Sequence, residues 1–276
     1  MQFASKPLDL VLGAGGVKGF GHIGVLKAIK ALGVPIGTVT GVSVGSLVAA
    51  LHTNGLDCEA LFDQMLAGLK NRDNPLAMLE TMTLSDPISL MIGGPVDLSV
   101  PMRRLVKDLE LSPRDDLRIV ACDYFAKVPV PFQGQDYDLA TALTASCALP
   151  TVLRPVWHRD PKTGAMRLLV DGAVYHYNPT DFSEAPAIVV SFRPATSWPS
   201  GYRFKNPMDA YFHMREMYYP IAGHRRHVDA QKHILLEIGL KDVAGLNYGI
   251  DEQVCRALVE DGYRTAMDRL SKLSPA

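Results

Sequence analysis

An α/β fold built on parallel strands is the expectation from this sequence, and three observations carry it. Short apolar runs alternate with helix-period segments from residue 8 onward, in the order strand, helix, strand, helix. Glycines cluster where the runs end, as they do where a strand turns sharply into a helix. Of the 276 residues, 47% are hydrophobic and 21% charged, which excludes a disordered chain and supplies a sizeable core. No repeat, low-complexity tract or linker divides the sequence, so a single domain over residues 1–276 is expected.

The elements follow in order. Leu8 to Leu12 reads as a short buried strand that ends in Gly13-Ala14-Gly15-Gly16. Phe20 to Ala31 reads as a helix, with Ile23, Leu26, Ala28 and Ile29 on its apolar face and Gly33 and Pro35 stopping it. Thr38 to Val42 is a second strand. Ser43 to His52, rich in Ala, Val and Leu, is a buried second helix. Leu117 to Cys122 is another strand and Leu139 to Ala145 a short helix. Met166 to Val170 is a strand opening into Asp171-Gly172-Ala173, with Arg154 to His158 as its hairpin partner across the turn Asp160 to Gly164. Ala187 to Phe192 and Ile234 to Ile238 are further strands. Asp251 to Leu273 is a closing amphipathic helix with Val254, Leu258, Ala266 and Leu270 inward.

Charge and cysteine usage remove several classes. Lys plus Arg number 28 and Asp plus Glu 29, a net charge of −1, so no global electrostatic grip on nucleic acid is expected. No apolar run reaches the ~18 residues of a membrane-spanning helix. The start, MQFASKPLDLVLG, lacks a cationic segment followed by a long apolar one, so no secretory signal is read and a cytoplasmic location is expected. Cys58, Cys122, Cys147 and Cys255 form no CxxC pair, which argues for reduced thiols rather than a zinc finger or a disulfide scaffold.

The chemistry starts at Gly41-Val42-Ser43-Val44-Gly45, a G-x-S-x-G at a strand-to-helix junction. A serine at the apex of so sharp a turn leaves its strand and enters a helix at once. Bulky side chains two residues either side would collide, and Gly41 and Gly45 remove that crowding. The plain alternative is a glycine-rich turn with no chemistry. Upstream, Gly15-Gly16-Val17-Lys18-Gly19 follows the first strand. Its amides suit a phosphate or an oxyanion. The P-loop pattern fails, because Gly19 and Phe20 follow Lys18. Gly19-Phe20-Gly21-His22-Ile23-Gly24 fits G-x-G-x-x-G, but starts seven residues past the strand and has no acidic partner at the end of strand two. An oxyanion hole facing Ser43 fits better. Lys18 is either an anchor for the loop or an exposed lysine.

Ser43 needs a group to take its proton. The histidines His22, His52, His158, His176, His213, His224, His227 and His233 are scattered. His224 and His227 make an HxxH without an acidic cluster, and no metal site is expected. Asp171, at the end of an apolar strand and followed by small residues, is the better candidate; an ordinary Asp-Gly turn is its alternative.

Together these residues resemble the patatin-like phospholipase family, whose pattern is G-G-x-[KR]-G, then G-x-S-x-G, then D-G-[GA]. This chain has Gly15 to Gly19, Gly41 to Gly45 and Asp171-Gly172-Ala173 in that order, and Ala145-Ser146-Cys147-Ala148-Leu149-Pro150 resembles the family's A-S-x-A-x-P stretch. Asn178-Pro179 resembles a further stretch, and Ala14 stands where the family usually has glycine. The resemblance covers residues 8–192, with 193–276 completing the fold or covering the site. It implies a three-layer α/β/α sandwich with a mostly parallel sheet. It also implies a catalytic dyad of Ser43 as nucleophile and Asp171 as base, and an oxyanion hole of Gly15, Gly16 and Val17 amides. Lys18, Gly19, Gly41, Gly45 and Gly172 support the motifs, and no cofactor is implied. The expected activity is a serine acyl hydrolase on fatty acyl esters of phospholipids or lysophospholipids. Its rivals are an acyltransferase with the same dyad and a nucleotide-binding module using Gly19 to Gly24. A lipid substrate needs an apolar or cationic surface. Residues 65–102 hold five of the eleven methionines, and residues 202–233 hold Tyr202, Phe204 and Tyr211 beside Arg203, Arg225 and Arg226. They are expected to form a cover over Ser43 that makes peripheral contact with a membrane, with ordinary packing as the alternative.

Overall fold

The computed structural model describes residues 6–70, 96–150, 152–161, 163–193, 228–240, 243 and 249–273. Five parallel strands form the centre of a mixed sheet, in the order β3-β2-β1-β7-β8. They are β1 (Leu8–Leu12), β2 (Ile36–Val42), β3 (Leu117–Asp123), β7 (Ala187–Phe192) and β8 (Ile234–Ile238). Two antiparallel strands attach at β3, β4 (Val128–Gln133) and β6 (Met166–Asp171), and β5 (Val156–Arg159) pairs antiparallel with β6. β1 and β7 lie inside the sheet and are buried at every position. That is why LDLVL and AIVVSF read as near-continuous apolar runs rather than alternating ones.

The helices are α1 (Phe20–Leu32), α2 (Val44–Thr53), α3 (Cys58–Lys70), α4 (Ser99–Asp108), α5 (Leu139–Cys147) and α6 (Glu252–Leu270). α1 and α2 close their crossovers as expected, α1 ending on Gly33 in the left-handed region at φ +63°. The main core gathers Leu10, Leu12, Ile23, Leu61, Leu143 and Leu258 between this helical layer and one face of the sheet. The opposite face of β1 and β7 carries Val11, Ala187 and Val189, all fully buried, with Val228 and Leu235 packed on them. Both faces of the sheet are therefore covered.

α3, α4 and β4 are additions to the elements expected from sequence. The closing helix differs in one detail: Val254 is half-buried, while Cys255 and Gly262 turn inward with Leu258, Ala266 and Leu270. Gly262 explains the G-x-G-x-x-G run. A side chain on Gly262 would collide with the Gly21 carbonyl, and one on Gly24 with the Val259 carbonyl. α1 and α6 thus pack backbone on backbone. Gly21 and Gly24 are absorbed by helix packing, which removes the feature that favoured a nucleotide site. Of the expected cover, residues 71–95 and 194–227 lie outside the described residues. Its described methionines pack inward, Met102 buried in the core and Met65 against it.

β3 has three partners, and their registers place the site. β4 runs beside all of it but the first residue, Arg118↔Gln133 to Asp123↔Val128. β2 pairs with Val39↔Leu117 to Val42↔Val120, and β6 with Ala121↔Asp171 to Asp123↔Leu169. A strand has two edges. With β4 occupying one, β2 and β6 share the other, end to end. β2 leaves it at Ser43, and β6 arrives at Asp171.

Candidate active site

Ser43 sits between the last residue of β2 and the first of α2, with φ 54° and ψ −128°. A non-glycine residue at positive φ is held there by its surroundings. The Ser43 amide donates to Ser146 Oγ at 3.0 Å, and Ser146 Oγ donates onward to the Val120 carbonyl at 2.7 Å. The Ser43 carbonyl accepts from the Ser46 amide at 2.9 Å and from Ser46 Oγ at 2.6 Å. Both polar ends of the elbow's peptide units are thereby pinned, while Ser43 itself is only half-buried. Gly41 and Gly45 stand where the steric argument placed them. A side chain on Gly41 would strike the Gly45 carbonyl, and one on Gly45 the Leu12 carbonyl, so the elbow also packs on the end of β1.

The glycine loop leaves β1 through Gly13, whose amide bonds the Val190 carbonyl at 2.9 Å. Gly16 has φ +55°, and a 3-10 turn over Gly16–Gly19 runs directly into α1. Gly19 packs so close to Val44 that any side chain there would collide. The loop therefore lies against the elbow. Among the described residues the amides of Gly15, Gly16 and Val17 meet no acceptor, at the positive end of a helical segment. Lys18 is 3% exposed and its Nζ donates to the Arg193 carbonyl at 2.9 Å, so it is an anchor rather than a surface lysine. The Ala14 methyl is buried. It turns inward with Val42 and Ala173, and Tyr177 packs on the three.

Asp171 is 2% exposed. Its amide donates to the Ala148 carbonyl at 2.9 Å and its Oδ1 accepts from the Ala173 amide at 2.8 Å. Gly172 lies so near Val42 Cγ2 and the Val120 carbonyl that no side chain fits. Cys147 connects the two sides. Burial and then the Asp171 carboxylate push its thiol far up, and Ser46 bonds it. The structure thus brings Asp171 to the elbow of Ser43 from the far side of the sequence.

The described histidines have other places. His22 is fully buried; its Nε2 lies 2.9 Å from the Gly13 carbonyl and its ring packs edge-on to Phe192 at 4.7 Å. His158 packs on Phe132, His176 pairs with Asp181, and His233 Nδ1 accepts from the Ala187 amide. None of these, nor His52, is hydrogen-bonded to Ser43 among the described residues. His213, His224 and His227 lie outside them. Sequence reasoning assigned no task to Ser146 or His22. The signal for both was present: a polar side chain inside an otherwise apolar buried helix.

A serine held at positive φ on the carboxyl edge of parallel strands, with a glycine loop against it and a buried aspartate nearby, has the geometry of a nucleophile elbow in an α/β fold. Comparison with known proteins supplies the family. Residues 10–182 match the patatin-like phospholipase family, and the chain belongs to it. That span contains all five motifs. Patatin-like phospholipase domain-containing protein 6 of Mus musculus is 29% identical over 180 residues, 64% of this chain and 12% of that protein. A lysophospholipase NTE1 of Coccidioides immitis is 43% identical over 56 residues, 20% of this chain and 4% of that protein. The chain therefore spans a small part of the length of these relatives. Among solved structures, VipD from Legionella pneumophila shares the fold with a TM-score of 0.55 at 14% identity, covering 98% of this chain and 67% of that one. The mixed sheet with helices on both sides is the α/β/α arrangement of that fold.

Proposed function

We propose that this chain is a serine acyl hydrolase that cleaves fatty acyl esters of phospholipids or lysophospholipids through a Ser43–Asp171 dyad. The observation that carries the reading is the abutment of β2 and β6 on one edge of β3, which sets the elbow serine beside a buried carboxylate. Asp171 takes the hydroxyl proton as Ser43 Oγ bonds to the ester carbonyl carbon. The carbonyl oxygen becomes an oxyanion that accepts from the amides of Gly15, Gly16 and Val17. Collapse breaks the ester bond, and the leaving alcohol takes the proton from Asp171. Water then repeats the cycle on the acyl-serine and releases the fatty acid. Every step uses groups of this chain and needs no cofactor. A lipid substrate is supported by family membership and by the names of the relatives.

The test is a panel of phospholipids and lysophospholipids assayed with wild type and Ser43→Ala, alongside labelling by a fluorophosphonate. Ester cleavage and labelling that both vanish in Ser43→Ala are expected. Persistent labelling of the variant, or cleavage of no lipid by wild type, overturns the reading. Adding an alcohol acceptor and following acyl esters separates hydrolysis from acyl transfer.

A further inference from the structure

The antiparallel strands do more than deliver Asp171. β6 pairs with β3 only from Leu169 to Asp171; its first half extends past the end of β3 with β5 beside it. The Tyr124 amide continues the register by bonding the Leu168 carbonyl at 2.8 Å. Together with the β3–β4 turn, these strands form a flap that stands beyond the level of Ser43, on the carboxyl edge of the sheet.

Opposite residues of an antiparallel pair share a face. Trp157 lies opposite Leu168, Met166 opposite Arg159, and Tyr124 follows Asp123 beside Leu168. One face of the flap therefore carries Tyr124, Trp157, Met166 and Arg159. Trp157 is 61% exposed, Met166 54% and Tyr124 51%. Phe125, 68% exposed, packs edge-on to Tyr124 at 5.3 Å. The other face is closed. Arg167 bonds Asp160 at 2.6 Å and reaches Asp123 at 3.7 Å, Asp123 caps the Phe125 and Ala126 amides, and His158 packs on Phe132. The flap's carboxylates are thus consumed inward. Arg159 and Lys127 are exposed and have no ion-pair partner among the described residues.

We infer that this face of the flap seats on the interface of an anionic lipid bilayer. Tryptophan, tyrosine and phenylalanine favour the headgroup level, and unpaired cations beside them complement a negative surface. The unpaired charge on the face, Arg159, and that in the adjoining β3–β4 turn, Lys127, are of one sign, and the seat lies at the edge that holds Ser43. The inference rests on the lipid reading of that site, but vesicle binding is measured without hydrolysis.

The experiment uses the full chain as Ser43→Ala, so that no lipid is cleaved. It is sedimented with vesicles of phosphatidylcholine alone or mixed with phosphatidylserine. Binding is expected to the mixed vesicles, to weaken with salt, and to fall by about tenfold or more in Trp157→Ser/Phe125→Ser. Lys127→Glu/Arg159→Glu is expected to lose binding to the mixed vesicles by about tenfold as well. In a Trp198→Phe background, Trp157 emission is expected to shift to the blue on the mixed vesicles. With Ser43 restored, all flap variants are expected to hydrolyse a short soluble ester at the wild-type rate. Wild-type vesicle binding by these variants, indifference to phosphatidylserine, or an unshifted Trp157 emission overturns the inference. So does a stable dimer that Trp157→Ser dissociates, which would make a second copy the occupant. If wild type cleaves no ester while the vesicle results hold, the catalytic reading fails and the docking face stands.

Discussion

Ser43 holds a backbone conformation that costs about 1–3 kcal/mol for a non-glycine residue, and the bonds from Ser46 and Ser146 hold it there. Ser146→Ala leaves the Ser43 amide and the Val120 carbonyl without their shared partner. Unsatisfied buried groups cost about 1–3 kcal/mol, so a drop of that size in a urea titration is expected, with turnover falling and fluorophosphonate labelling slowed. Ser43→Ala and Asp171→Asn are expected to lower ester hydrolysis by ~10³-fold or more each while the fold persists, and their double variant to lose little beyond either single one. Kinetics of the three proteins on one soluble ester check this; independent, multiplying losses would argue against a dyad. His22 gives a pH dependence. Burial lowers its pKa from the usual 6.5 to about 4, against a smaller opposing effect of the Gly13 carbonyl. Between those values the unfolded chain binds a proton that the folded chain refuses, so stability falls as pH drops from about 6.5 towards 4. The full effect is about 3 kcal/mol. His22→Gln keeps a donor for the Gly13 carbonyl but does not titrate, and its acid limb is expected to be shallower than wild type when unfolding is measured across that range.

Elements differ in how much of them the sequence discloses, and the differences have physical causes. β1 and β7 are legible because strands covered on both faces read as apolar runs, and β2 because β-branched residues lead into the glycine-flanked elbow. β4, VPVPFQ, is hidden because Pro129 and Pro131 contradict a strand reading. They are tolerated because β4 lies on the edge of the sheet, beside β3 alone. α4 is hidden by Pro101, which sits in its first turn where a missing amide costs nothing. α3 has a readable stripe of Leu61, Phe62 and Leu66. In the site, the elbow and the loop follow from glycine spacing and strand order. The place of Asp171 does not, because it depends on β6 filling the edge of β3 that β2 vacates, a register no local pattern encodes. The glycines of α1 show the opposite failure, a nucleotide-like spacing produced by contact with α6. Gly262→Val is expected to force these helices apart and to destabilise by at least the 1–3 kcal/mol typical of overpacking. Thermal unfolding reads the loss, and an unchanged melting temperature would mean that the backbone contact between α1 and α6 is not close.

Across the whole molecule, the parallel centre and the antiparallel flap differ in how they are held. β1 and β7 are buried at every position, whereas β5 and the start of β6 expose Trp157, Arg159 and Met166. Amides of β1 and β7 are expected to exchange with solvent only on global unfolding, and those of Val156–Arg159 through smaller local openings. Hydrogen exchange followed by mass spectrometry tests this; uniform protection would mean that the flap and the centre open together. The meeting of β2 and β6 on β3 has a further consequence, for a chain emerging from the ribosome. The elbow is synthesised early, but the carboxylate of the proposed dyad arrives only with β6, after β3, β4, α5 and β5 have been made. If Asp171 is the base, as proposed, a nascent or truncated chain that ends before it holds a serine without the group that would deprotonate it. On the proposed mechanism, lipolytic competence is then expected to be withheld until the second half of the sheet has docked on the first, and chains truncated before β6 are expected to cleave no ester.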